Sequence, residues 1–90
     1  MSKTRTGVLL FDECAEQLKP VLYPRYMMKN KLGYYFNCDQ IDAGGPFLTM
    51  TVPSVEGTSE PDTVEIQIPY GYVKLILKVK RDNPFGFANA

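Results

Sequence analysis

The chain has 90 residues, ten basic and ten acidic, with two cysteines, no histidine and a formal net charge of zero. That length makes one domain with a small core, of the size that often gains stability by oligomerising. The charge balance argues against a dominant polyanion-binding face. The missing histidine removes the usual general base near neutral pH and every Ser–His–Asp or Cys–His arrangement.

Residues Met1–Thr6 are polar and basic and read as a loose terminus. From Val8, apolar residues recur at Phe11, Cys14 or Ala15, and Leu18, the spacing of an amphipathic helix. Asp12, Glu13 and Glu16 suit its early turns, Lys19 its end and Pro20 its stop. A second parse makes Gly7–Phe11 a strand and lets Asp12 cap a shorter helix. Both parses stay open. Pro20 and Pro24 interrupt the next stretch, so Val21–Tyr23 and Arg25–Met28 read as a broken edge strand.

Gly33 opens Tyr34–Ile41, where Tyr34, Phe36 and Cys38 alternate with Tyr35, Asn37 and Asp39, the period of a strand with one aromatic face. Asp42-Ala43-Gly44-Gly45-Pro46 is a turn. Phe47–Pro53 alternates again, with Leu48, Met50 and Val52 on one side. The polar stretch Ser54–Asp62 reads as the longest loop. In Thr63–Lys80, Val64, Ile66 and Ile68 share a face, and so do Val73, Leu75, Leu77 and Val79. Pro69-Tyr70-Gly71-Tyr72 joins the two runs. Ile76 stands alone on the side of Lys74, Lys78 and Lys80. Residues 81–90 form a tail containing Phe85 and Phe87, an apolar pair that needs a surface to dock on. The layout predicts one α+β, mainly β domain over residues 1–90: an N-terminal helix followed by a four- to five-stranded antiparallel barrel or curled sheet.

Few residues invite chemistry. Gly44-Gly45 precedes a proline and a strand rather than a helix, so it lacks the amides of a phosphate loop. Two cysteines without histidine do not complete a structural zinc site. Without a secretion signal, Cys14 and Cys38 are expected as buried thiols, with pairing between them as the alternative. Acids beside Cys14 oppose an activated thiolate. Asp39 and Asp42 flank a turn; they are a remote candidate for acid–base or cation chemistry and more simply a capped turn. We expect no enzyme, no metal and no cofactor. No apolar run approaches the roughly 20 residues of a membrane span, and Val8–Phe11 is too short for a signal-peptide core of about 7–15. The expected setting is therefore cytoplasmic, with no membrane partner.

Two binding readings remain. Between Tyr23 and Lys31 aromatics interleave with bases, and single-stranded nucleic-acid binders use that mixture for stacking and phosphate tracking. Its candidates are Arg25, Tyr26, Lys29 and Lys31, extended by Tyr35 and Phe47. The other reading starts from charge order: bases from Lys19 to Lys31, acids from Asp39 to Glu65, then bases from Lys74 to Arg81. Acidic and basic strands side by side would pair across the sheet; on opposite faces they would join neighbouring subunits. Tyr70, Tyr72, Ile76, Phe85 and Phe87 are the interface candidates, with Ile76 foremost.

The order helix, strands, then VEIQI-PYGY-VKLILKV resembles the Sm-like small β-barrel, chiefly over Val64–Val79. In that family the last two strands are separated by one tight turn, subunits join their fourth and fifth strands edge to edge into rings, and RNA binds at loops lining the pore. The resemblance implies barrel topology and a strand-edge route to oligomers. It carries over no RNA-binding residue, because Tyr34–Ile41 lacks the Asp-containing, Asn-ending loop and Tyr70–Tyr72 lacks the basic turn. The sequence thus predicts a small non-enzymatic binding or assembly module, forming homo-oligomers or engaging a protein partner. A single-stranded RNA binder is the alternative.

Overall fold

A computed structural model describes residues 4–55 and 60–80. In chain order the elements are β1 (Arg5–Leu10), α1 (Asp12–Leu22), β2 (Met27–Asn30), β3 (Gly33–Cys38), β4 (Gln40–Asp42), β5 (Leu48–Pro53) and β6 (Thr63–Ile68). A 3₁₀ turn (Tyr70–Tyr72) then leads to β7 (Val73–Val79). All strand pairs are antiparallel. They form a four-stranded sheet ordered β2-β3-β1-β7 and a three-stranded sheet ordered β4-β5-β6. The fold is mainly β, as expected. Neither sheet closes into a barrel, and there are more, shorter strands than the alternation suggested. Among the described residues no helix is long and apolar enough to cross a membrane.

A strand, not the helix, comes first. β1 is central, paired to β3 on one side and β7 on the other, and Val8, Leu9 and Leu10 are all buried. A strand covered on both faces shows a continuous apolar run instead of alternation, and this run mimicked the start of a helical stripe. It also draws Arg5 and Thr6 out of the expected loose terminus. The helix begins at Asp12 with Phe11, not Asp12, as its N-cap, and no side chain caps it. Ala15 is buried, and Leu18 and Leu22 pack on the core at helical spacing. Pro20 lies inside the helix instead of stopping it. It forfeits one bond to the preceding turn, yet the Tyr23 amide still reaches the Lys19 carbonyl at 3.0 Å and the Tyr26 amide the Leu22 carbonyl at 2.8 Å.

The segment expected as one strand from Tyr34 to Ile41 divides at Asp39. Its first half, β3, pairs with β1 and β2; its second half, β4, pairs with β5 in the other sheet. The Asp39 amide donates to the Thr51 carbonyl at 2.8 Å and fixes the corner. β6 and β7 divide likewise. The 3₁₀ turn carries the chain from the edge of one sheet to the edge of the other. Phe36, Cys38 and Tyr34 from one sheet meet Leu48, Met50, Val52 and Ile68 from the other in the main core.

Gly33 enters β3 with φ of +130°, and a Cβ there would come within 3.0 Å of an Asp12 carboxylate oxygen. Both the backbone region and the space favour glycine.

β7 corrects the expected facing. The register between β1 and β7 shifts between Leu9 and Leu10, so that Val73 lies opposite Leu10, Leu75 opposite Leu9 and Ile76 opposite Val8. Such a bulge reverses the facing of the residues beyond it. Val73 therefore packs on the main core, while Leu77 packs on Leu9 and Tyr35 on the far side of the sheet. Ile76 is on the core-facing side, not on a solvent face, yet 41% of it remains exposed.

Candidate functional site

The structure separates the residues of the nucleic-acid reading. Arg25 and Tyr26 anchor the base of the loop after β5. The Arg25 guanidinium donates to the Glu60 carbonyl at 2.7 Å and lies 3.4 Å from an Asp62 oxygen. Tyr26 donates its hydroxyl to Asp62 at 2.7 Å and accepts from Arg25 Nε at 3.1 Å. The bond to Asp62, with some help from burial, raises the Tyr26 pKa. The bond to Tyr26 raises that of Arg25, burial opposes the rise, and the charge of Asp62 adds a smaller increase. The Val55 amide donates to the Arg25 carbonyl, and Ser54 and Asp62 bond to each other. Groups engaged this way hold a loop.

Lys29 lies elsewhere. Its ammonium stands 5.2 Å from the centre of the Tyr34 ring, which Lys19 approaches from 5.4 Å. Lys19 also donates to the Tyr34 hydroxyl at 3.1 Å and pairs with Glu16 at 3.4 Å, and those two contacts raise its pKa. Lys29 and Lys31 share a shallow hollow of about 280 Å³ with Asp12 and Glu16, so acids stand among the bases. Tyr35 is 1% exposed among Leu9, Met28 and Leu77. A ring buried to that degree has no face left for stacking. Phe47 is exposed, on the loop before β5 and in the other sheet's connections. Six candidates thus fall into separate places and form no common platform.

The interface candidates also sort by what they already touch. The Tyr70 hydroxyl lies 2.7 Å from the Ala43 carbonyl and 2.8 Å from that of Gly45. Its single proton serves one of them at a time, and together they tie the glycine turn to the 3₁₀ turn. Tyr72 donates to the Gln17 side chain at 3.0 Å, and its carbonyl receives the Phe11 amide at 3.1 Å. Both tyrosines brace the fold. Phe85 and Phe87 lie outside the described residues.

Ile76 differs. Among the described residues β7 is an edge strand, paired only to β1. Ile76 and Lys78 from β7, Thr6 from β1, and Gln40 and Ile41 from β4 line a cleft of about 370 Å³ at the mouth between the two sheets. Asp39 also borders it, but the Arg5 guanidinium holds that carboxylate in an ion pair. Among the described residues the ion pairs are Arg5–Asp39, Lys19–Glu16 and Arg25–Asp62, so Lys74, Lys78, Lys80 and Glu65 belong to none. Basic β7 and acidic β6 lie in different sheets, and the expected cross-strand pairing of their charges does not form. Sequence reading missed the cleft because its walls come from three separated strands. The lone Ile76 among lysines was its one signal.

The remaining candidates have structural roles. Asp42 accepts the Gly44 amide at 2.9 Å in a capped turn. Cys14 and Cys38 are free thiols, Cys14 half-buried and Cys38 buried. Burial pushes the Cys38 thiol up to about 12 against the pull of the Arg5 charge, which makes it inert. No group of three or more potential metal ligands occurs among the described residues. Compared with family models, curated proteins and solved structures, the chain matches none of them.

Proposed function

We propose that this chain is a small non-enzymatic binding and assembly module that joins copies of itself through the open edge of β7. The observation carrying this reading is Ile76: an aliphatic residue on the core-facing side of an edge strand, left exposed where the two sheets part. An open strand edge is a template for another strand, and exposed aliphatic area beside it adds a favourable burial. Charge selects the pairing. Two β7 strands meeting antiparallel about Ile76 would set Lys74 against Lys78, an unfavourable like-charge pair. β6 is the open edge of the other sheet and carries Glu65, so β7 of one copy meeting β6 of the next brings opposite charges together. Such a head-to-tail contact generates a ring or a filament. The Sm-like resemblance supports the same route, since that family assembles through strand edges.

Size-exclusion chromatography with light scattering tests the reading. Oligomers are expected at high micromolar concentration, and Ile76→Lys should shift the mass toward the monomer. A monomer at every concentration, unchanged by that substitution, would sink the proposal. Gel shifts with single-stranded RNA at low salt test the alternative. Its signature would be a salt-sensitive complex weakened by replacing Lys29 and Lys31 together.

A further inference from the structure

We infer that the cleft beside β7 receives an extended segment of another protein, which adds to β7 as a strand and presents a carboxylate two residues before an aliphatic side chain. The inference rests on the reading of β7 as a docking edge and goes further by naming what the docking strand must carry.

Backbone comes first. Among the described residues β7 and β4 each have a strand partner on one side only, so both rims of the cleft offer main-chain groups for a further strand. Strand addition satisfies such groups and leaves specificity to alternate side chains. On β7 the side chains turned to the cleft are Ile76 and Lys78, because the bulge sets them opposite Val8 and Thr6. Side chains directly opposite across an antiparallel pair lie about 4.5–5.5 Å apart. An incoming antiparallel strand meets Lys78 first, then Leu77 on the outer side, then Ile76. Its order is therefore acid, any residue, aliphatic.

The cleft suits that pair. Ile41 faces Ile76 as a second apolar wall, and about 370 Å³ has room for an aliphatic side chain. Lys78 has no acid partner among the described residues, whereas Asp39 beside it is held by Arg5, which leaves the rim short of one negative charge. Thr6 lines the cleft opposite Lys78, and a threonine hydroxyl can donate to a carboxylate or a peptide carbonyl.

A second copy does not supply the pair. In β6, Glu65 and Gln67 take one side and Val64, Ile66 and Ile68 the other. Asp62 and Val64 have the required spacing there, and Asp39 and Ile41 have it at β4, but Asp62 is engaged by Arg25 and Tyr26 and Asp39 by Arg5. The occupant that satisfies Lys78 and Ile76 together is therefore a different chain, which competes with a second copy for the same edge.

The test uses the full chain and two fluorescein-labelled, capped heptapeptides, Ser-Thr-Glu-Thr-Leu-Thr-Ser and its counterpart with Lys in place of Glu. By fluorescence anisotropy the Glu peptide should bind about two- to fivefold more tightly, the scale of one cross-strand charge pair. Lys78→Glu should reverse the preference and Lys78→Gln erase it. Lys74→Glu, at the bulge and not among the residues lining the cleft, should leave it intact. Absence of binding by either peptide, or a preference that survives Lys78→Glu, would overturn the inference. Light scattering on the same samples separates the two readings. A monomer that shows the reversible preference refutes self-assembly alone; an oligomer indifferent to the peptide charge refutes this inference alone.

Discussion

β5 and β7 look alike as sequence, each an alternating run of aliphatic residues, and the fold treats them oppositely. β5 is central in its sheet, between β4 and β6, and Leu48, Met50 and Val52 are fully buried against Phe36 and Cys38 of the other sheet. β7 has one neighbour, and Leu75 and Ile76 are 45% and 41% exposed. Alternation reports that a strand has two unlike faces. It does not report how many strands flank it, and the second neighbour is what turns an apolar face into core. Among the described residues, the aliphatic residues of this edge strand are thus surface that the fold leaves partly uncovered.

Substitution should expose the contrast sharply. Met50→Ala removes a fully buried side chain from the junction of both sheets and should cost about 2–5 kcal/mol, read as a lowered urea midpoint at unchanged slope. Ile76→Ala, on the edge, should stay within about 1 kcal/mol in the dilute monomer, because the side chain is already partly solvated. Equal losses at the two positions would mean that β7 is covered in solution and that the edge is not open.

Much of the fold was legible in the sequence, and the failures have physical reasons. Strands β5 and β6, the alternation of Tyr34, Phe36 and Cys38, and the turn at Asp42–Pro46 arise from period-two patterns and turn chemistry, which are local. β1 was legible only as one of two open parses, Gly7–Phe11 as a strand ahead of a shorter helix, because a strand buried on both faces loses its alternation. The corner at Asp39 escaped because nothing in the sequence there breaks a strand; the bend is imposed when Thr51 captures the Asp39 amide. The facing of Ile76 depended on a bulge opposite Leu9 and Leu10, a property of two strands that neither shows alone. The Arg25–Tyr26–Asp62 cluster reads as a binding patch until its partner, 36 residues on from Tyr26, is seen.

The two cysteines extend the contrast between interior and surface to pH. Cys38 is buried with its thiol pushed up to about 12, from 9.0. The folded state therefore keeps its proton where the unfolded chain begins to lose it. The stability contributed is complete below pH 9 and lost as pH rises toward 12, with a slope of at most about 1.4 kcal/mol per unit. Cys38→Ala should flatten that part of the profile relative to the parent chain, measured by urea unfolding between pH 8.5 and 10.5 (about the window where only the unfolded thiol titrates). In the folded chain at pH 8, a thiol reagent should label the half-buried Cys14 well before Cys38. Equal labelling rates would place Cys38 outside the core.

The smallest effect belongs to the connection that feeds β5. Tyr70 hooks the carbonyls of Ala43 and Gly45, so the glycine turn before β5 is held by the 3₁₀ turn at the same end of the sheet, where Ile68 pairs with Leu48, and the Tyr70 ring stays exposed. Tyr70→Phe keeps the ring and deletes only the hydroxyl. Water can replace it at this exposed site, so the stability loss should be about 0.5–1 kcal/mol. The more telling readout is local: amide exchange at residues 43–47 should quicken while exchange in β7 is unchanged. If β7 quickened as well, the 3₁₀ turn would be transmitting the loss across the sheets, and the open edge would owe its order to this one hydroxyl.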